Sequence, residues 1–433
     1  MKTYFLALLF VCAPLASSQT PDQAQSSDAG PTILSRSELE VPAETPTGLR
    51  GDYFNFFAYG DFTYNSYEPF ATIAGESAGK EGYDAGVGVN LLHYYQTGVL
   101  SLNYTGGYRG YSGLNSDPAS NILQNLSLGF NKLLTRHLTF TFRETGSWTP
   151  GGWIPQPVTT PEFALGLNLI AVRTETSLTS VGLIYQLSRR LSLQVGGDFS
   201  EIRYKPSIDY TGFFGGDASL GLNYRFTKRT TLSATANYQY FSFLQSRGTS
   251  STDGAYLSLS HLFGTRIEAG VSGGALRTTF ESTSAQVFGS TLLIYSGRAT
   301  TYSPFASGRF SISGRKTSFG LSGGETVSAG NGIFLTSKMI YLTGSFYYAA
   351  TRKWSFGLNG GYQRLVSIGG GTTGPGEYVS GSADYKLTRH FGIRAAGNYT
   401  TYETVTVFKG NSYYNATLGF FFTSADRPLS AIF

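Results

Sequence analysis

The sequence predicts an all-β chain that forms a single transmembrane antiparallel β-barrel of about 18 strands, with short periplasmic turns and longer extracellular loops. Runs of about ten residues alternate between apolar and polar side chains, as strands do when one face meets lipid and the other meets water. Short turns, mostly basic, separate pairs of these runs. The turns are Thr135–His137, Ser188–Arg190, Thr227–Arg229, Thr265–Arg266, Gly314–Lys316, Thr351–Lys353 and Thr388–His390.

The composition agrees with a barrel. The 433 residues include 55 glycines, 15% aromatic residues and 14% charged residues, whereas an average soluble domain carries about 25% charged residues. After residue 20 no run of about 18 apolar residues occurs, so no membrane-spanning helix is expected. The net charge of +5 is spread over turns and loops. No dense Lys/Arg block marks a nucleic-acid partner.

The chain divides into three predicted parts. Residues 1–18 have the features of a signal peptide: Lys2, an apolar stretch from Tyr4 to Leu15, and the small residues before Gln19. Residues 19–50 are rich in Pro, Ser, Gln and Asp, and are predicted to be a disordered periplasmic tail. Residues 51–433 are the predicted barrel. The only cysteine, Cys12, lies in the signal segment, so no disulfide is expected.

The strand count follows from the turns, which recur at nearly equal intervals that suit two strands, a tight turn and a longer loop. An eighth turn lies at Gln96–Gly98. Eight hairpins, a first strand near 53–65 and a last strand near 412–423 make eighteen strands, with sixteen as the alternative. Two intervals are longer than the rest, and they predict long loops at about 149–175 and 281–303.

Two further patterns accompany the turns. Aromatic residues beside them predict a girdle at one membrane interface; they are Tyr185, Tyr224, Phe226, Tyr348, Trp354, Tyr385 and Phe391. Pairs of small residues recur past the turns, where they serve either strand curvature or a ring of small side chains inside the barrel. These pairs are Gly106–Gly107, Gly196–Gly197, Gly273–Gly274, Gly323–Gly324, Gly360–Gly361 and Ala396–Gly397.

Charged residues within strands are assigned to the lumen by alternation, because Arg or Lys at the lipid midplane costs about 2–4 kcal/mol. The predicted pore-lining residues are Arg143, Asp198, Arg225, Asp384, Lys386 and Arg394. Their mixed signs predict no strong preference for either ionic charge.

No catalytic centre is expected. The four histidines, His93, His137, His261 and His390, lie in or beside the predicted periplasmic turns, and no two are spaced as metal ligands. A catalytic histidine of an outer-membrane enzyme would be expected near the outer half of the wall. The sequence therefore predicts neither an enzyme nor a cofactor or metal site.

The signal segment, the hairpin spacing and the terminal Phe433 together resemble Gram-negative outer-membrane β-barrel proteins of porin size. The resemblance implies an outer-membrane location, contact with outer-membrane lipid, and insertion by the barrel assembly machinery, which reads a terminal aromatic residue. Its implied function is passive diffusion of small polar solutes. Pro428 departs from the pattern, because proline is poorly tolerated inside a central strand.

One loop segment extends the resemblance. Pro161-Glu162-Phe163 is similar to part of the porin constriction loop, in which an acidic residue faces a basic wall. If the loop enters the lumen, Glu162 would oppose Arg143, Arg225 or Arg394. An ordinary surface loop is the alternative.

Two other functions stay open at this stage. A polysaccharide exporter would use lumen tyrosines, such as Tyr341 and Tyr347, to stack on sugars, and a structural barrel would serve surface attachment. A homo-oligomer also stays open, because the alternation makes all lipid-facing sectors look alike.

Overall fold

The computed structural model describes residues 53–65, 81–111, 122–149, 173–205, 212–244, 248–288, 291–328, 336–367, 373–402 and 411–424. They form eighteen strands. The strands are β1 (Tyr53–Asn65), β2 (Glu81–Tyr95), β3 (Gly98–Tyr111), β4 (Ile122–Leu133), β5 (Leu138–Thr149), β6 (Arg173–Gln186), β7 (Leu191–Lys205), β8 (Phe213–Arg225), β9 (Thr230–Phe243), β10 (Gly248–Phe263), β11 (Ile267–Phe288), β12 (Thr291–Ser313), β13 (Thr317–Ser328), β14 (Ser337–Tyr348), β15 (Trp354–Ser367), β16 (Thr373–Lys386), β17 (Phe391–Tyr402) and β18 (Asn411–Thr423). Within these ranges no helix is long and apolar enough to cross a membrane.

The strands form a closed antiparallel ring. Each strand pairs with its neighbours in sequence, and β1 closes the ring against β18 from Phe57↔Thr423 to Asn65↔Asn415. The predicted all-β barrel and its count of eighteen strands are confirmed. Each of the described strands has a paired neighbour on both sides, which is the condition for strands to cross a lipid bilayer. The predicted signal segment and tail lie outside the described residues.

Side-chain oxygens explain why Ser or Thr begins most of the short turns. The Thr135 hydroxyl accepts hydrogen bonds from the backbone N–H groups of His137 and Leu138, at 3.2 and 3.1 Å. Ser188, Thr227, Thr351 and Thr388 repeat this arrangement. Such local bonds replace the strand ladder where the chain reverses. We call this end of the barrel the turn end and the opposite end the loop end.

The outward face carries an apolar band, with large exposed side chains such as Leu220, Leu257 and Leu418 on widely separated strands. The predicted aromatic girdle is confirmed, since its residues lie on this face beside the turns. Trp354 packs against Phe356 and Tyr385 there, with ring centroids 5.8 and 4.7 Å apart. A band of this kind is stable only in contact with hydrocarbon.

One sector of the lipid-facing wall is polar, so the expectation that all sectors are alike is wrong. Glu144 lies near the middle of β5 on the outward face, and its carboxylate accepts hydrogen bonds from the hydroxyls of Ser177, at 3.1 Å, and Thr179. On other strands outward charges begin nearer the loop end, as with Arg277 on β11 and Lys338 on β14. The β5–β6 surface therefore breaks the apolar band.

The predicted long loop at 281–303 is wrong. β11 and β12 continue as a paired hairpin up to Phe288↔Thr291. The longer interval between turns predicts a loop here, but the extra residues lengthen both strands instead. Strand pairing needs only backbone hydrogen bonds, and a hairpin beyond the lipid needs no apolar face. Its outward side accordingly carries ion pairs, Arg277–Asp253 at 2.8 Å and Arg298–Glu281 at 3.3 Å.

Inward-facing glycines lie beneath aromatic rings from the neighbouring strand. Gly361 is paired with Tyr378 and Gly86 with Tyr59, so each ring lies over a residue without a side chain. A Cβ at Gly361 would lie 2.6 Å from Cε1 of Tyr378. These glycines hold aromatic side chains against the wall. Among the predicted small pairs, the space at Gly361 is filled by the Tyr378 ring, whereas Gly196 and Gly324 have the small side chains of Ser219 and Ser307 as their nearest side-chain neighbours.

Replacing Gly88 by alanine is expected to lower the free energy of unfolding by about 1–3 kcal/mol. The new Cβ would overlap the ring of Phe57, which is paired with Gly88 and buried. The shift would appear in guanidinium unfolding of the detergent-solubilised barrel, followed by tryptophan fluorescence. Gly381→Ala is the matched control, because the nearest atom to its new Cβ is 3.9 Å away. Equal midpoints for the two variants would contradict the packing argument.

Candidate functional site

The inner wall of the barrel is polar on every strand. Inward residues are those that alternate with the exposed apolar residues, and most of them are Ser, Thr, Asn, Gln or charged. Examples are Asn90, Asn237 and Asn398, all buried in the wall. Because a polar face of this extent is unfavourable against lipid or a dry core, the interior is the candidate functional surface.

A row of five charged residues and one glycine crosses six neighbouring strands at directly paired positions. We call it the charged row. Its members, in order from β16 through β18 and β1 to β3, are Asp384, Arg394, Gly419, Asp61, Asp84 and Arg109.

Two ion pairs lie at the ends of the charged row. Arg394 Nε donates to Asp384 Oδ1 at 2.7 Å, and Arg109 Nε donates to Asp84 Oδ2 at 2.8 Å. Both pairs are almost fully buried, with side-chain exposures of 8% and 6% in the first and 3% and 1% in the second. Buried charges are tolerated only when they are paired and hydrogen-bonded, so each pair depends on both of its members.

The charged row climbs along the wall. Asp384 lies near the turn end of β16 at Lys386, whereas Arg109 lies near the loop end of β3 at Tyr111. A row of paired residues runs perpendicular to the strands, and barrel strands tilt by about 35–45° from the axis. The row therefore rises through much of the barrel height, and a solute moving along this wall would meet its charges in sequence.

Asp61 lies between the two ion pairs. It is paired with Gly419 on one side and Asp84 on the other. Its Oδ1 atom rests over Gly419, where a Cβ would overlap it. Gly419 thus provides the space into which the Asp61 carboxylate leans, on the same row as Arg394. Asp61 interacts electrostatically with both arginines and both other aspartates of the row.

A second charged group lies on β5 to β8. Arg143, Ser180, Asp198 and Asp217 are aligned by direct pairing across these four strands. Arg143 is exposed, and the two aspartates are half-buried. A further inward ion pair, Arg309–Glu268 at 2.7 Å, lies toward the turn end of β11 and β12.

The structure brings some of the predicted residues together and separates others. Asp384 and Arg394 form one ion pair, and Arg143 and Asp198 share the second charged group. Arg225 and Lys386 are the last residues of β8 and β16 at the turn end. The predicted constriction-loop residue Glu162 lies outside the described residues.

Sequence reasoning missed six inward charges: Asp61, Asp84, Arg109, Asp217, Glu268 and Arg309. The same alternation rule would have found them, since Asp61 alternates with the exposed Phe62 and Asp84 with the exposed Tyr83. Glycine-rich stretches such as those around Asp84 weaken the alternation that marks a strand. Which charges would pair could come only from the register between strands.

The opposite wall carries an inward aromatic patch toward the loop end. Phe213 packs against Phe241 and Phe243, with ring centroids 5.4 and 6.3 Å apart. Tyr256 packs against Phe305 at 4.9 Å. These residues lie about half-way round the ring from β1. An aromatic patch thus lies opposite the charged row.

The histidines lie at the turn end, as predicted. His93 packs against Tyr95, His261 contacts the Thr230 hydroxyl at 2.8 Å, and His390 Nδ1 lies 3.0 Å from the Thr423 carbonyl oxygen. In the part of the chain that the structure describes, no group of three His, Cys, Asp or Glu residues is placed to hold a metal ion.

No protein-family model and no curated protein sequence matches this chain. Among solved structures, it is similar to outer membrane protein OpdK of Pseudomonas aeruginosa, at 11% identity and a TM-score of 0.44 over 87% of this chain and 99% of that one. It is also similar to OccK5 of the same organism, at 13% identity and a TM-score of 0.41 over 87% of this chain and 99% of that one. The similarity to OccAB4 of Acinetobacter baumannii has 10% identity and a TM-score of 0.41 over 88% of this chain and 100% of that one. Likeness at this level carries no argument about function, which must come from the barrel itself.

Proposed function

We propose that this chain is an outer-membrane, porin-like channel for passive diffusion of small polar solutes, without catalysis or a cofactor. One observation carries the proposal: a closed eighteen-stranded barrel has an apolar outward face and a polar inner wall with a climbing row of charges. Charges of both signs along such a wall favour water and polar solutes over lipid inside the barrel.

The polysaccharide exporter has less support. Stacking on sugars needs open aromatic faces, but Tyr341 is only 5% exposed. Tyr347 is half-buried and hydrogen-bonds to Ser355. Both tyrosines belong to the packed wall, so they do not offer the platforms that this function requires.

The proposed partners follow from the surfaces. Outer-membrane lipid covers the apolar band, and the barrel assembly machinery inserts the chain through its terminal Phe433, which lies outside the described residues. Contact between copies is proposed at the β5–β6 sector. There the polar groups of a second copy would cover Glu144 better than lipid can. A charge on the lipid-facing surface destabilises a barrel more, the deeper it lies in the bilayer.

Conductance of the purified protein in a planar lipid bilayer tests the proposal. The channel should give stable open steps whose size scales with salt concentration, while a heat-denatured sample should give none. A barrel that folds but conducts no ions would contradict passive diffusion. Glu162→Gln should also change ion selectivity, if the predicted constriction loop faces the pore.

A further inference from the structure

Asp61 is the carboxylate of the charged row that lies between the two ion pairs. It is only 5% exposed, and it interacts electrostatically with Arg394, Asp84, Arg109 and Asp384. The two arginines of the row donate to other carboxylates, Arg394 to Asp384 and Arg109 to Asp84. The row therefore holds three carboxylates and two guanidinium groups.

The pairing around Asp61 is unusual for a sheet. Asp61 and Asp84 are direct cross-strand partners, and like charges in that position destabilise a sheet. The second charged group repeats the arrangement, because Asp198 and Asp217 are direct partners with only Arg143 on the same row. Carboxylates thus outnumber arginines in both groups.

The remaining inward charges do not offset this excess along the wall. Arg309 and Glu268 neutralise each other in an ion pair. Arg225 and Lys386 are the last residues of β8 and β16 at the turn end. Lys386 is half-buried and interacts electrostatically with Asp384, whereas the charges that act on Asp61 are mainly those of the row itself.

We infer that the Asp61 carboxylate makes this channel prefer cationic solutes, such as monovalent metal ions and small protonated amines. The inference rests on the proposed channel function and adds a solute class to it. An ionised carboxylate in a confined polar passage raises the local concentration of cations and lowers that of anions. The pore-lining residues predicted from the sequence have mixed charges and indicate no such preference, because that set does not include Asp61, Asp84 and Asp217.

The position of Asp61 depends on Gly419. Its carboxylate occupies the space that a Cβ at residue 419 would fill. Gly419→Ala should therefore push the carboxylate away from the row while leaving its charge in the chain. Gly60→Ala is the matched control beside Asp61, since its new Cβ would have no atom within 4 Å.

The test is the reversal potential of single channels in a bilayer with a potassium chloride gradient. The wild-type channel should favour potassium over chloride. Asp61→Asn should lower the cation-to-anion permeability ratio by roughly twofold to tenfold, the size expected for one charge in an aqueous passage. Gly419→Ala should lower it in the same direction, and Gly60→Ala should leave it unchanged.

The outcomes separate this inference from the proposed function. A silent wild-type barrel would overturn both. Open channels that favour chloride, or whose preference is the same with Asp61→Asn, would overturn only the role of Asp61. If Asp61→Asn fails to fold, the reversal potentials of the wild-type channel and of Gly419→Ala still show whether the channel prefers cations and whether that preference depends on the position of Asp61.

Discussion

Replacing Arg394 by methionine is expected to lower the free energy of unfolding of the barrel by about 3–5 kcal/mol. The substitution keeps most of the aliphatic chain but leaves the buried Asp384 carboxylate without its guanidinium, which lies at 2.7 Å in the native protein. It also removes a positive charge that acts on Asp61. Guanidinium unfolding in detergent, followed by tryptophan fluorescence, measures the loss.

An exposed ion pair provides the control. Arg298 lies 3.3 Å from Glu281, with side-chain exposures of 70% and 54%. Pairs of this kind contribute about 0–1 kcal/mol, because water solvates either charge alone. Arg298→Met should therefore have little effect. If Arg394→Met costs no more than Arg298→Met, the charged row does not behave as a buried network.

A double variant shows whether the loss comes from the unpaired charge. Arg394→Met together with Asp384→Leu removes both partners, and replacing a whole buried pair by apolar residues is often close to neutral. The double variant should therefore recover most of the stability that Arg394→Met loses. No recovery would assign the loss to packing of the arginine chain, for example over the ring of Phe421, which lies 5.7 Å from the guanidinium.

Arginine at position 257 should cost about 2–4 kcal/mol in a lipid bilayer. Leu257 lies near mid-height of β10 on the outward face and is 59% exposed. Its arginine variant would place a charge in the hydrocarbon, too far from either interface to reach water fully. Folding of the variant into phospholipid vesicles, with urea titration, measures the cost.

The adjacent residue is the matched control, because its side chain points to the other face of the same strand. Ser258 is paired with Ser233 and Ser272, so an inward arginine meets small polar neighbours. Ser258→Arg should cost clearly less than Leu257→Arg. The reverse order would show that the two faces of β10 have been assigned the wrong way round.

Much of the fold could be predicted from the sequence because strands that cross a membrane must alternate. Leu220 and Leu222 point to lipid, and Asn223 points inward, as their order along the chain predicts. The predicted first strand near 53–65 and last strand near 412–423 agree with β1 and β18. Where alternation is not required, prediction failed: residues 281–288 and 291–303 continue as strands beyond the lipid band.

The candidate site was only partly predictable. Alternation placed Asp384 and Arg394 inside the barrel, but their ion pair depends on the register of β16 against β17. Asp61 and Gly419 are far apart in the sequence and meet only because β1 closes against β18. The polar β5–β6 sector likewise depends on tertiary structure, because the Glu144 carboxylate accepts hydrogen bonds from Ser177 and Thr179 on the next strand.

The sequence by itself determined the alternation of faces and the positions of the turns, because each is set by a residue and its immediate neighbours, and these patterns favoured eighteen strands over sixteen. Ser and Thr hydroxyls close the turns locally, and side chains at every second position share a face. Only the tertiary structure decided which charges stand side by side. Register and ring closure bring residues from distant strands to one row, and the electrostatic energy of that row depends on distances that no local pattern contains.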